Sequence, residues 1–157
     1  MKPKIYIETS IVSYLTSEPS NDIRVAANQH ATREWWNANR NRYDLYISEF
    51  VVAEVSQGNK REAEKRLTVI DEISQLEATQ DVWRLGKSLM DDGPIPDKAE
   101  IDAYHIAVAT VNGMEYLLTW NCSHIANAAM RPEIEAICQK QDYKLPVICT
   151  PQELMEG

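Results

Sequence analysis

The chain is 157 residues long, 44% hydrophobic and 25% charged, which suits one globular domain, residues 1–157, with a sizeable core. Sixteen Lys and Arg against 24 Asp and Glu leave a formal charge of −8, which excludes a wholesale basic footprint for coating nucleic acid; any nucleic acid must be met locally or through metal ions. No apolar run approaches the length of a membrane span, and Met1-Lys2-Pro3-Lys4 leads straight into a strand pattern, so neither a span nor a signal peptide is expected and a cytoplasmic location is. Short apolar runs then predict strands at residues 4–8, 43–48, 115–120 and 146–149, with a weaker one at 75–77. Helical patterns fall between them at 11–16, 22–39, 49–57, 60–73, 80–91, 98–111 and 131–141.

Strands that alternate with helices cannot pair through tight hairpins. Right-handed crossovers and a mainly parallel sheet follow, giving an α/β fold, a three-layer α/β/α sandwich. In such a sheet the ligand crevice lies beyond the carboxyl ends of the strands, where strand order reverses. The usual phosphate-binding loops are absent: with five glycines in all, there is neither Gly-x-Gly-x-x-Gly after the first strand nor Gly-x-x-x-x-Gly-Lys. That weakens a nucleotide- or small-molecule-binding Rossmann reading. Cys122, Cys138 and Cys149 contain no Cys-x-x-Cys pair and read as reduced thiols, not as a disulfide scaffold or zinc ribbon.

Most carboxylates have ordinary explanations. Glu62, Glu64, Asp71 and Glu72 belong to solvated helix faces, and Asp97 with Glu100 has the spacing of a capping box. Asp102 is placed beyond the first turn of its helix, on one stripe with His105, Ile106 and Ala109. Glu54 shares a helix face with Phe50 and Val51, Glu8 ends the first strand, and Asn121 follows the strand at 115–120. Four oxygen-bearing side chains are thus expected near one crevice edge. Burying like charges together forces protonation unless a cation neutralises them, and hard oxygen donors suit Mg²⁺ or Mn²⁺. The competing reading pairs Glu54 and Asp102 with inward Arg or Lys. Thr9 and Ser10 are expected first as helix N-caps and second as hydroxyls orienting Glu8.

These blocks resemble the PIN-domain nucleases, the family that includes VapC-type toxins. The resemblance rests on Ile5-Tyr6-Ile7-Glu8-Thr9-Ser10, Val51-Val52-Ala53-Glu54-Val55, Asp102-Ala103-Tyr104-His105-Ile106-Ala107 and Leu117-Leu118-Thr119-Trp120-Asn121, with His124 beyond. It implies a Rossmann-like PIN domain and a hydrolase, a Mg²⁺- or Mn²⁺-dependent endoribonuclease that leaves a 5′-phosphate and a 3′-hydroxyl. Glu8, Glu54 and Asp102 would hold the metal, and Asn121 would orient water or complete a second site. Homodimerisation and, for a toxin, a neutralising antitoxin protein are further implications. Two departures stand out: Glu8 replaces the usual Asp, and Asn121 replaces the usual fourth acid, which keeps a catalytically impaired RNA- or protein-binding module in contention.

Weaker signals remain. Arg33, Arg40 and Arg42 around Trp35 and Trp36 suit contact with single-stranded RNA, but core packing of the tryptophans and capping by the arginines explain them better. Lys60, Arg61, Lys65 and Arg66 read as a solvated face. His105 reads as a hydrogen-bonded core histidine in preference to a zinc ligand with Cys122, and His124 as a structural or substrate contact.

Overall fold

The apolar run that opens the chain becomes the central strand of a parallel sheet. The computed structural model describes residues 1–155, so the last two residues of the expected 1–157 domain lie outside it. In chain order the elements are β1 (Lys4–Ile7), α1 (Thr9–Thr16), α2 (Ile23–Asn39), β2 (Asp44–Ser48), α3 (Glu49–Val55), α4 (Lys60–Ile70), β3 (Ser74–Leu76), α5 (Gln80–Asp91), α6 (Glu100–Val111), β4 (Tyr116–Leu118), α7 (Arg131–Lys140) and β5 (Val147–Cys149). The sheet order is β3-β2-β1-β4-β5 and every pairing is parallel, with Ile5 opposite Leu45 on one side and Tyr116 on the other.

Chain direction across the sheet explains the layers. From β1 the chain moves out through β2 to β3, then returns to the far side of β1 for β4 and β5. Right-handed crossovers therefore place α1–α4 on one face and α5–α7 on the other. The helix contacts agree: α1 packs on α2, α3 and α4, and α5 packs on α6 and α7. Being central in the sheet, Ile5, Tyr6 and Ile7 are wholly buried, which is why β1 reads as a continuous apolar run without alternation.

Local signals set most helix starts. Asp22 accepts from the amides of Arg24 and Val25, Ser48 from Phe50, and Asn59 from Arg61 and Glu62, each the N-cap of the helix it precedes. At the far end of α6, Gly113 has φ of +71° and its amide bonds Thr110 O while Met114 N bonds Ala109 O, a Schellman closure that needs a left-handed residue.

Several expected boundaries change. The first strand stops at Ile7, since Glu8 is already the N-cap of α1. Helix α4 ends at Ile70 and not at 73, and β4 covers only Tyr116–Leu118. Asp97–Ala99 form a separate 3₁₀ turn with no side-chain cap, so the capping box at Asp97 and Glu100 does not form. That turn delays α6 to Glu100 and puts Asp102 in its first turn, not beyond it. Nor is α6 an amphipathic stripe: Ala103 to Thr110 are all buried, as befits a helix enclosed on every side. Among the described residues no helix is long and apolar enough to cross a membrane.

Candidate functional site

Strand order reverses between β1 and β4, and the residues just past those two strands build the crevice. Glu8, only 4% exposed, follows β1, and its amide extends the ladder to Leu118 O at 3.1 Å. Its Oε1 receives the hydroxyl of Thr119, just past β4, at 2.6 Å and that of Ser10 from the first turn of α1. Ser10 Oγ in turn accepts the Trp120 amide at 2.8 Å, tying α1 to the segment after β4. Thr9 and Ser10 are therefore not N-caps. They are the first two residues of α1, and Thr9 Oγ1 donates 2.6 Å across to Glu54 Oε1.

Glu54 comes from the last turn of α3 and is part-buried. Its Oε1 lies 2.5 Å from His105 Nε2, a ring that is fully buried on α6. Burial alone would raise the Glu54 carboxyl, but the hydrogen bond and electrostatic attraction of His105, together with the hydrogen bond from Thr9, outweigh it and hold the group below the ordinary glutamate value. His105 Nδ1 lies 2.7 Å from Tyr6 Oη, and Tyr6 Oη lies 2.7 Å from Ser48 Oγ. The core-histidine reading of His105 is what the structure shows, and the ring also belongs to the acidic cluster.

Ligand atoms of Glu8, Glu54 and His105 lie within 4.8 Å of one another, a group able to hold a metal ion. Asp102 is not in that group. Its Oδ2 lies 3.0 Å from His124 Nδ1, both side chains part-buried. Asn121 Oδ1 accepts from the amides of Ser123 at 3.2 Å and His124 at 3.1 Å. It thereby shapes the turn that delivers His124 to Asp102. Of the four expected residues, the fold brings Glu8 and Glu54 together, gives Asp102 a histidine partner, and uses Asn121 in its own loop.

Both inward acids pair with histidine. None of the ion pairs formed among the described residues brings a Lys or Arg to Glu8, Glu54 or Asp102, so the competing expectation of basic partners is not met. Sequence reasoning missed Tyr6, Ser48 and Thr119 as parts of the site. Tyr6 sits between two isoleucines in a run that reads as pure core, and the one signal it offered was a phenolic hydroxyl that needs a partner when buried.

The peripheral signals resolve to packing. Trp35 is fully buried; Arg40 lies 5.5 Å over the Trp36 ring and caps its carbonyl. Arg33 bonds Ser17 O. Arg66 departs from a solvated face, donating to the carbonyls of Val55 and Gln57 where α3 ends. Cys122 is exposed and stands outside the metal-capable group.

The family model for the PIN domain matches residues 5–121. The fold is similar to that of VapC20 from Mycobacterium tuberculosis, described as a sarcin–ricin loop cleaving toxin. That likeness has a TM-score of 0.56 at 15% identity, over 80% of this chain and 95% of that one. It is also similar to VapBC2 from Rickettsia felis, solved bound to a DNA fragment from their promoter, with a TM-score of 0.53 at 17% identity over 93% and 97% of the two chains. No curated protein sequence matches the chain.

Proposed function

Given that the chain belongs to the PIN domain family, we propose that it is a Mg²⁺- or Mn²⁺-dependent endoribonuclease, the toxin of a toxin–antitoxin pair. The observation that carries this reading is the meeting of Glu8 and Glu54 at the strand-order reversal, with His105 beside Glu54 and no Lys or Arg ion pair to either acid among the described residues. Two such carboxylates brought together repel each other unless a cation offsets their charge. The donor set therefore fits a divalent ion.

Glu8 and Glu54 would hold the ion, and Asp102, paired with His124 and outside that group, would contribute through bound water. When bound, the ion supplies charge to polarise a phosphodiester and to lower the pKa of a water molecule. Thr119 and Ser10 fix the Glu8 oxygen and Thr9 that of Glu54, so the carboxylates are held ready. The reading includes hydrolysis to a 5′-phosphate and a 3′-hydroxyl.

Partners follow from the same reading: RNA as substrate, an antitoxin protein and a second copy of the chain. Exposed Trp83 and Ile101, on the paired helices α5 and α6, supply apolar surface for the last. The use of Asn121 Oδ1 as a turn acceptor favours a second reading, a module that binds RNA without cutting it.

Purified protein incubated with structured and unstructured RNA, in Mn²⁺ or in EDTA, separates the two. Cleavage that requires Mn²⁺ and disappears in Glu54→Gln and Asp102→Asn supports the nuclease. Cleavage in EDTA, or undiminished in both variants, defeats it, and retained binding without cleavage establishes the module.

A further inference from the structure

A buried chain of four side chains runs from the sheet to the acidic cluster: Ser48 at the end of β2, Tyr6 in β1, His105 in α6 and Glu54 in α3. Its inner three members, Ser48, Tyr6 and His105, are fully buried. Nothing in the packing of a hydrophobic core calls for three polar side chains in series, and burying them is costly unless each is satisfied.

One direction of donation satisfies them all. Ser48 Oγ accepts the Phe50 amide at 3.2 Å and gives its own hydrogen to Tyr6 Oη; Tyr6 gives its hydrogen to His105 Nδ1; and Nε2–H donates to Glu54. In the reverse direction Nδ1–H donates to Tyr6 and Tyr6 to Ser48. The Ser48 hydrogen then has no acceptor among the described residues, and Nε2 faces a carboxylate without a proton to share. The first arrangement wins on hydrogen-bond accounting alone.

We propose that the Ser48–Tyr6–His105 chain is a positioning device for the metal centre. It locks His105 as the Nε2–H tautomer, which holds one oxygen of Glu54 toward the ring and leaves the other for a divalent ion. His105 is thus a positioning residue that acts through Glu54, and not itself a ligand. The inference rests on the proposed metal-binding role of Glu8 and Glu54. It goes beyond that reading in assigning a function to the two polar groups that the acids do not require, the Tyr6 hydroxyl and the imidazole. Partners of this kind around a metal-binding carboxylate are commonly worth about 10–100-fold in metal affinity.

Two measurements test it. In metal-free protein, ¹⁵N shifts of the histidine rings should show His105 with Nε2 protonated and Nδ1 accepting; the opposite tautomer overturns the proposal without touching the metal reading. Mn²⁺ titration followed by calorimetry and pulsed electron paramagnetic resonance then compares wild type with three variants. His105→Gln keeps an N–H near the Nε2 position and should retain near-wild-type affinity. His105→Leu removes the donor and should weaken Mn²⁺ binding about 10–100-fold. The double variant Tyr6→Phe/His105→Leu removes the hydroxyl that the single change orphans and leaves Ser48, which still accepts from the Phe50 amide, as the one remaining polar member of the chain; it should weaken binding equally, with circular dichroism checking that it is folded. Unchanged affinity in the folded leucine variants, equal losses in His105→Gln and His105→Leu, or a directly bonded ¹⁴N on Mn²⁺ that vanishes with His105→Gln would each overturn the positioning role. A wild-type protein that binds no Mn²⁺ overturns the metal reading itself, and this inference with it.

Discussion

Glu54 stands between two opposed influences, burial that resists its charge and the attraction of His105 and the hydrogen bonds from His105 and Thr9 that favour it, and the second prevails. Its folded pKa is therefore depressed relative to the unfolded chain. The sign of the linkage follows: the ionised group stabilises the fold above the ordinary glutamate range, and that stabilisation is lost as pH falls through the lower folded value. In EDTA, the Tm of the wild type should drop more steeply than that of Glu54→Gln on acidification below pH ~4.5, and parallel curves would contradict the balance described. The cysteines make a simpler case. Burial pushes the Cys138 thiol up to about 11 and the Cys149 thiol up to about 12, whereas Cys122 is exposed. Thiolate is the reactive species, so a thiol reagent such as DTNB at pH 8 should titrate one equivalent rapidly in native protein and all three only after unfolding.

At the scale of elements, the crossing of α5 and α6 depends on one small residue. A Cβ added at Gly86 would lie 2.3 Å from the ring of Tyr104, which packs against that stretch of α5. The same ring stacks on Phe50 of α3 at 5.6 Å and meets Trp83 edge-on at 4.8 Å, so it has little room to retreat. Gly86→Ala should cost about 1–3 kcal/mol by overpacking, against the usual preference for Ala in helices, and lower Tm by several degrees. A rise in Tm would show that Tyr104 moves freely. Because α6 carries both Asp102 and His105, the same substitution is expected to weaken Mn²⁺ binding as well as stability. Loop chemistry at this scale is as telling: the 3₁₀ turn at Asp97–Ala99 decides where α6 starts, and with it that Asp102 falls in the first turn of that helix.

For the molecule as a whole, the charge of −8 and the clustered acids pose one problem. Stability and nucleic-acid approach should both improve when divalent ions bind. At a hundred times its Kd, Mn²⁺ should stabilise the native state by about 2.7 kcal/mol, seen as a Tm rise that EDTA reverses and that Glu8→Gln/Glu54→Gln abolishes; an equal rise in the double variant would place the ion elsewhere.

By itself the sequence determined the alternating plan, the parallel sheet and the placing of Glu8 at the carboxyl end of β1, because those depend on hydrophobic period and on the handedness of crossovers, which are local or topological. It also carried the family blocks around Glu8, Glu54, Asp102 and Asn121. Tertiary structure alone decided the partners. Whether Glu54 meets an arginine or His105, whether Thr9 caps a helix or reaches 2.6 Å to another element, and whether Tyr6 is inert core or part of a polar chain all turn on contacts between residues 42 to 99 positions apart. Hydrogen bonds form between surfaces that come together only when the layers close, and no pattern along the chain encodes which donor will face which acceptor.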